Sequence, residues 1–155
     1  MYAPDHAALA TPIGLIRLRG ASALEALSIE PAGEEIEGSS RLFREGARQL
    51  RSYFAGQRRS FDLPLAPLAS VRGMALRDAM IAIAYGETAT YGETARRIGS
   101  SARAIGGACR RNPLPILVPC HRITSAAGPE HYSAGAGPET KAWLLAHEHQ
   151  HRMAP

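Results

Sequence analysis

The chain has 155 residues, 45% of them hydrophobic and 21% charged, with a formal net charge of +4. That length fits one or two small domains, and the apolar share suffices for a packed core. No run approaches the roughly 20 apolar residues of a membrane-spanning helix, and the first residues lack the charged and apolar regions of a secretory leader, so a cytoplasmic location without membrane attachment is the expectation.

In chain order, Ile13-Gly-Leu-Ile-Arg-Leu-Arg19 alternates late in the run and predicts a strand, and residues 24–31 predict a second. The acidic, glycine-flanked stretch Gly33 to Gly38 reads as a loop. Ser39 or Ser40 caps a helix whose apolar face is Leu42, Phe43, Ala47, Leu50 and Phe54, and Gly56 ends it. Phe61 to Leu68 holds two prolines in four positions and predicts an extended linker. The boundary falls there, giving a domain over 1–68 and another over 69–155.

The second half opens with a helix from Met74 to Ala84. After Tyr85-Gly-Glu-Thr-Ala-Thr-Tyr91 a short helix runs to Ile98. Gly99-Ser-Ser is a tight turn that supplies a fresh cap, and a helix from Ala102 to Arg111 is stopped by Asn112-Pro113. Two short helices around a turn form a helix-turn-helix pattern, whose second helix normally meets DNA. That helix carries Gly106 and Gly107, each costing about 1 kcal/mol relative to alanine. Close packing within the protein or close approach to a DNA backbone would justify the cost, and the sequence leaves both open. Ile105, Cys109 and Asn112 fall on another face, so Cys109 reads as a small core residue.

Charge is unevenly spread. Residues 1–40 carry six acids and two arginines, whereas Thr94 to Pro129 carries six arginines and no acid. A one-signed stretch inside a folded domain is a candidate nucleic-acid face. The two cysteines, Cys109 and Cys120, form no CxxC pair, so neither a disulfide nor a metal site is expected. His147, His149 and His151 alternate near the C-terminus and read as a solvated tail.

Asn112-Pro-Leu-Pro-Ile-Leu-Val-Pro-Cys-His-Arg-Ile123 is the most informative segment. Ile116-Leu-Val118 predicts a buried strand that Pro119 ends, setting Cys120 at its edge. A free thiol has a pKa of about 8.5, so a nucleophilic cysteine needs a base, and His121 can serve directly or through a water. A buried structural cysteine fits the same residues, because neighbours in a strand face opposite ways.

Pro119-Cys-His-Arg122, preceded by Asn112-Pro-Leu-Pro115 and Ile116-Leu-Val118, resembles the active-site signature of the O6-alkylguanine-DNA alkyltransferases, the methylated-DNA–protein-cysteine methyltransferase family. Arg103-Ala-Ile-Gly-Gly-Ala108 resembles that family's recognition helix, Tyr85-Gly-Glu-Thr-Ala-Thr-Tyr91 its tyrosine segment and Trp143-Leu-Leu-Ala-His-Glu148 its closing helix. The likeness is strong from Tyr85 to Glu148 and looser earlier, at Thr11-Pro-Ile-Gly14 and Tyr53-Phe-Ala-Gly56.

The resemblance implies an α/β protein: a small N-terminal domain with a ribonuclease H-like sheet, then a mainly helical, winged-helix-like domain with the helix-turn-helix. It implies repair by direct reversal, with Cys120 taking the alkyl group from O6-alkylguanine irreversibly, and O4-alkylthymine as a further substrate. His121 would act as base through a water, Glu148 would hold the His121 ring and favour its charged form, and Asn112 would fix the turn. Ala102, Gly106 and Gly107 would let the helix enter the minor groove of double-stranded DNA. Arg103 would replace the flipped nucleotide and Tyr91 would rotate it and donate to the guanine. Tyr132 and Ser133 would line the pocket, with Lys141 near it, and Arg122 would pack the signature strand. No cofactor is implied, and the protein would be monomeric, with clustering on DNA left open.

Three positions depart from the family pattern. Ala134 stands where glycine is usual in the pocket loop, Arg77 where a tryptophan is common, and Arg111 replaces a frequent glycine before Asn112. Competing readings are a lesion-binding relative without transfer, which Cys120 argues against, a plain helix-turn-helix regulator, and a zinc protein using Cys109, Cys120 and a histidine.

Overall fold

The computed structural model describes residues 5–126 and 132–152. The chain divides into two compact units, Met1–Ala66 and Pro67–Pro155.

The first unit is a three-stranded antiparallel meander carrying one helix. Strand β1 (Asp5–Thr11) pairs with β2 (Gly14–Gly20), which pairs with β3 (Leu24–Glu30), in the order β1-β2-β3. Leu9 faces Ile16 across the first pair and Leu18 faces Leu27 across the second. β2 and β3 lie where the alternating apolar pattern predicts. β1 escaped that reading: its sequence, Asp5-His-Ala-Ala-Leu-Ala-Thr11, is alanine-rich and carries little β-propensity, so its pairing with β2 makes it a strand. Helix α1 (Arg41–Phe54) starts at Ser40, whose hydroxyl accepts from the Phe43 N–H, and packs on β1. Its buried face includes Phe43, Ala47, Leu50 and Tyr53, whereas Leu42 and Phe54 are half-buried. Phe61 to Ala66 is extended and anchored: Leu24 donates to the Pro64 carbonyl, Ala66 donates to Leu24, and the Gln49 amide exchanges hydrogen bonds with the Asp62 backbone.

The second unit is mainly helical. α2 (Val71–Ile81) begins three residues ahead of the predicted start because Ser70 caps it, accepting from the Gly73 N–H. β4 (Ala89–Thr90) leads directly into α3 (Tyr91–Arg97), and a reciprocal capping box between Thr90 and Glu93 fixes that junction. A turn at Gly99, in the left-handed region at φ 64°, leads to Ser101, which caps α4 (Ala102–Arg110). α3 and α4 pack against each other as a helix-turn-helix.

After α4 the predicted strand Ile116–Val118 is absent. The segment is a buried turn in which Pro115 bridges Val118, Val118 donates to the Leu114 carbonyl, and Ile116 sits at φ 75°. Pro113 and Pro115 remove two donors just ahead of the run, the Leu114 and Val118 N–H groups are spent within the turn, and the apolar run is there to fill the core. A β-branched residue in the left-handed region costs on the order of 1–3 kcal/mol, and the surrounding contacts hold it there. Cys120–Arg122 then forms a single 3-10 turn, followed by β5 (Ile123–Thr124), parallel to β4. Helix α5 (Pro138–His151) lies against the 3-10 turn and buries a stripe of Thr140, Lys141, Leu144, His147 and Glu148.

Candidate active site

Three elements make up the site around Cys120. The first is Asn112. Its Nδ2 donates to the Val118 carbonyl at 3.0 Å and to Cys120 Sγ at 3.2 Å, while its Oδ1 accepts from the Leu114 N–H at 3.0 Å. Backbone groups on both sides therefore settle which amide atom is oxygen. One side chain ties the strained turn to the thiol it delivers.

The second is the buried chain Arg122, Glu148 and His121. His121 Nε2 lies 2.7 Å from Glu148 Oε2, and Arg122 grips the same carboxylate through Nε at 2.8 Å and Nη2 at 3.1 Å. Arg122 Nη1 also donates to the Ile83 carbonyl at 2.8 Å. His121 and Glu148 are both 0% exposed. Arg122 thus orders the carboxylate, rather than packing a strand. The Gly86 N–H adds a bond to Glu148 Oε1 at 3.3 Å. Gly86 has φ 78°, and a Cβ there would meet the Arg152 side chain at 2.6 Å, so only glycine fits.

Electrostatics follow from burial. Burial alone would raise Glu148, but the bonds to His121 and Arg122 outweigh it and hold the carboxyl well below its usual range. Burial pushes His121 below its ordinary 6.5, against the pull of Glu148. The resting ring is therefore neutral, although the bond to Glu148 and its charge favour the charged form, as the resemblance implies. An ionised Glu148 accepts the Nε2 proton, which leaves Nδ1 as the basic nitrogen. Nδ1 is buried and has no hydrogen-bond partner among the described residues. Burial also raises the Cys120 thiol, partly offset by the Asn112 bond and the charge of Lys141.

The third element is a cavity of about 360 Å3 over Cys120, lined by Tyr91, Gly106, Cys109, Arg110, Tyr132 and Ser133. Its volume falls at the small end of ligand pockets, roughly 300–1,000 Å3. Tyr132 turns a buried hydroxyl without a partner among the described residues, and burial raises its pKa far above 10. Cys109 is not a sealed core residue: it is partly exposed and lines the cavity, with its thiol pushed up to about 12 by burial. Arg110 and Cys109 were missed as lining residues because helix phase shows which face they share but not which void it meets.

The remaining predicted residues are dispersed. Ala102 and Arg103 lie exposed in the first turn of α4. Lys141 is buried and donates to the Ile123 carbonyl. A Cβ at Gly106 would meet only ordinary contacts, with Arg110 at 3.7 Å and Tyr91 at 3.9 Å, and one at Gly107 would meet the guanidinium end of the Arg111 side chain at 3.0 Å. The protein's own backbone packing demands neither glycine. His147 departs from the solvated-tail reading: α5 carries it into the interior, stacked on Trp143 with ring centroids 4.8 Å apart. Among the described residues no group of three or more His, Cys, Asp or Glu side chains is placed to hold a metal.

A family model described as the DNA-binding domain of 6-O-methylguanine DNA methyltransferase matches residues 74–150. A methylated-DNA–protein-cysteine methyltransferase of Methanosarcina acetivorans is 41% identical over 79% of this chain and 85% of its own length. The chain belongs to the methylated-DNA–protein-cysteine methyltransferase family. A family member from Mycolicibacterium paratuberculosis is 35% identical over 97% of this chain and 95% of its own. The crystal structure of the Mycobacterium tuberculosis O6-methylguanine methyltransferase superposes with a TM-score of 0.82 at 35% identity, over 97% of this chain and 96% of that one. A Mycobacterium tuberculosis OGT in complex with DNA gives 0.80 at 34% identity, over 94% of this chain and 93% of that one. The mixed α/β architecture is shared with these methyltransferase structures.

In this family member the Glu148 carboxylate offsets the buried Arg122 charge. Glu148→Gln should cost about 3–5 kcal/mol, since it leaves a buried cation uncompensated. The folded carboxyl is held below its unfolded value, so its stabilisation is full above about pH 4.3 and is lost as pH falls. Urea unfolding at pH 7 measures this, and a loss under about 1 kcal/mol contradicts the assignment.

Proposed function

We propose that this chain repairs DNA by moving an alkyl group from O6 of guanine to Sγ of Cys120, which keeps it. The observation that carries this reading is Cys120 itself. Its thiol opens on a cavity lined by Tyr91, Gly106, Tyr132 and Ser133, with Asn112 bonded to Sγ and the Arg122–Glu148–His121 chain beside it.

In the proposed step the Cys120 proton passes through a water to Nδ1 of His121. Glu148 offsets the imidazolium charge that forms, in the logic of a nucleophile, base and orienting acid. Sγ attacks the alkyl carbon as the bond from that carbon to O6 breaks. The electron pair stays on guanine, and the proton held by His121 passes to the guanine, which restores the nucleobase and leaves the imidazole neutral. The Tyr91 hydroxyl donates to the leaving guanine. The product is a thioether, which thiols do not cleave as they do a disulfide, so each molecule acts once.

The target atom lies inside a duplex, so the nucleotide must leave the stack. α4 suits a close approach to DNA because Gly106 and Gly107 are not required by internal backbone contacts. Ala102 keeps its first turn small and Arg103 is exposed to fill the vacated space. Arg96, Arg97, Arg103, Arg110 and Arg111 are all exposed on or beside the two helices of the motif, a density suited to phosphate contacts. Lys141 acts indirectly, its charge favouring the thiolate. Double-stranded DNA carrying O6-alkylguanine is the proposed partner, bound by one copy of the chain.

Cys120→Ala should abolish transfer in a single-turnover assay and retain binding to a duplex carrying O6-methylguanine. Transfer by the variant overturns the assignment of the acceptor. The pH profile follows from His121. A base must be neutral, and its pKa is lowered, so the ring stays competent at pH 6.5 and protonates only below it. The acid limb of the single-turnover rate should therefore be centred below 6.5. An acid limb centred above 6.5 contradicts His121 as a buried neutral base.

A further inference from the structure

The hydroxyl of Tyr132 is a polar group that the fold holds at a loss and the step described above does not use. It lies at the cavity over Cys120, its oxygen is enclosed, and it bonds to nothing among the described residues. A buried donor left without an acceptor destabilises a protein, and phenylalanine would fill the same space without that loss. Packing therefore accounts for the ring of Tyr132 and not for its oxygen.

The chemistry of the cavity supplies the acceptor. Burial lifts the phenol far above its ordinary 10, and the charges of Cys120 and then Glu148 lift it further, so the group is a neutral donor at every working pH. The resting Cys120 thiol is raised by burial and protonated, and a neutral thiol is a weak acceptor. The thiolate is a strong one, and a hydrogen bond to the charged form lowers the pKa of the group that carries it. Asn112 Nδ2 already donates to Sγ at 3.2 Å, from the side of the turn. Tyr132 stands on the side of the cavity. The charged and titratable groups around the sulfur are His121 beside it, Cys109 and Arg110 of α4, and Lys141 and Glu148 of α5. Of these, Lys141 is the charge that favours the thiolate, and it is spent in part on the Ile123 carbonyl. An anion that must form in so enclosed a place lacks a donor on its open side, and the Tyr132 hydroxyl lacks an acceptor.

We infer that Tyr132 is a catalytic hydrogen-bond donor to Sγ of Cys120, engaged as the proton leaves the thiol and released when the alkyl group caps the sulfur. Release follows because a thioether is again a weak acceptor. The inference rests on the reading of Cys120 as the alkyl acceptor, but its test uses no DNA, so the two fail separately. The test is the rate of alkylation of the full chain by iodoacetamide from neutral to alkaline pH, read on the Cys120 peptide so that Cys109, its thiol pushed up to about 12, does not intrude. A rise of about one unit in the thiol pKa cuts the thiolate about tenfold, and a Brønsted slope of about 0.4–0.5 returns part of it as nucleophilicity, leaving a net loss of about threefold. Tyr132→Phe should therefore fold with an unchanged or higher urea midpoint and react about threefold more slowly at neutral pH. The deficit should vanish as pH passes the thiol midpoint, because ionisation and not access was lost. A ring-fluorinated tyrosine at position 132, a more acidic donor of nearly the same shape, should speed the reaction at neutral pH, and it decides the matter if Tyr132→Phe does not fold. This signature without methyl transfer from an O6-methylguanine duplex would uphold the donor and overturn the transfer. Equal rates for wild type and both variants overturn the inference, as does a Tyr132→Phe deficit of the same size at every pH.

Discussion

One buried carboxylate organises the C-terminal unit. Glu148 receives two bonds from Arg122 and one contact from His121, and it is fully enclosed. A carboxylate in such a place is tolerable only because a guanidinium neutralises it, and that guanidinium is in turn tied to the Ile83 backbone. The consequence for chemistry is a fixed tautomer. With its Nε2 proton committed to Glu148, His121 has one basic nitrogen, and burial keeps it free of a proton until one is supplied. A base held neutral beside a thiol held protonated is poised for transfer rather than already ionised.

The thiol depends on a second constraint, the turn from Asn112 to Pro119. A strand would have placed Cys120 and His121 on opposite faces. The turn, with Ile116 at φ 75°, instead feeds a 3-10 turn in which cysteine, histidine and arginine follow each other around one axis. Asn112 holds that strained path through three bonds, one of them to sulfur. Strain and function therefore meet in eight residues, and the apolar side chains of Leu114, Ile116, Leu117 and Val118 lock it by burial.

Much of this was legible in the sequence. The strands β2 and β3, the helix starts at Ser40 and Ser101, and the helix-turn-helix followed from apolar period and capping residues. β1 did not, because alanine-rich segments become strands only when a neighbour offers hydrogen bonds. Ile116–Val118 looked like a strand because apolar β-branched residues fill cores in any backbone conformation, and only the flanking prolines hinted otherwise. The motifs from Tyr85 to Glu148 carried the resemblance to the family, yet they did not tell that Arg122 grips Glu148 or that Cys109 reaches the cavity. Those facts depend on contacts between α5, the 3-10 turn and α4, which no local pattern encodes. His147 misled for a related reason: its alternation with His149 and His151 suggested a tail, while the helical stripe it shares with Leu144 and Glu148 carried it inside.

The most direct measurement is the intact mass of the protein after incubation with an oligonucleotide duplex carrying O6-methylguanine, followed by peptide mapping. One methyl group in place of one hydrogen, found on the peptide containing Cys120, with unmodified guanine recovered in the DNA, is the predicted result. Restored guanine with an unaltered protein mass, or a methyl group on Cys109 instead, would contradict it.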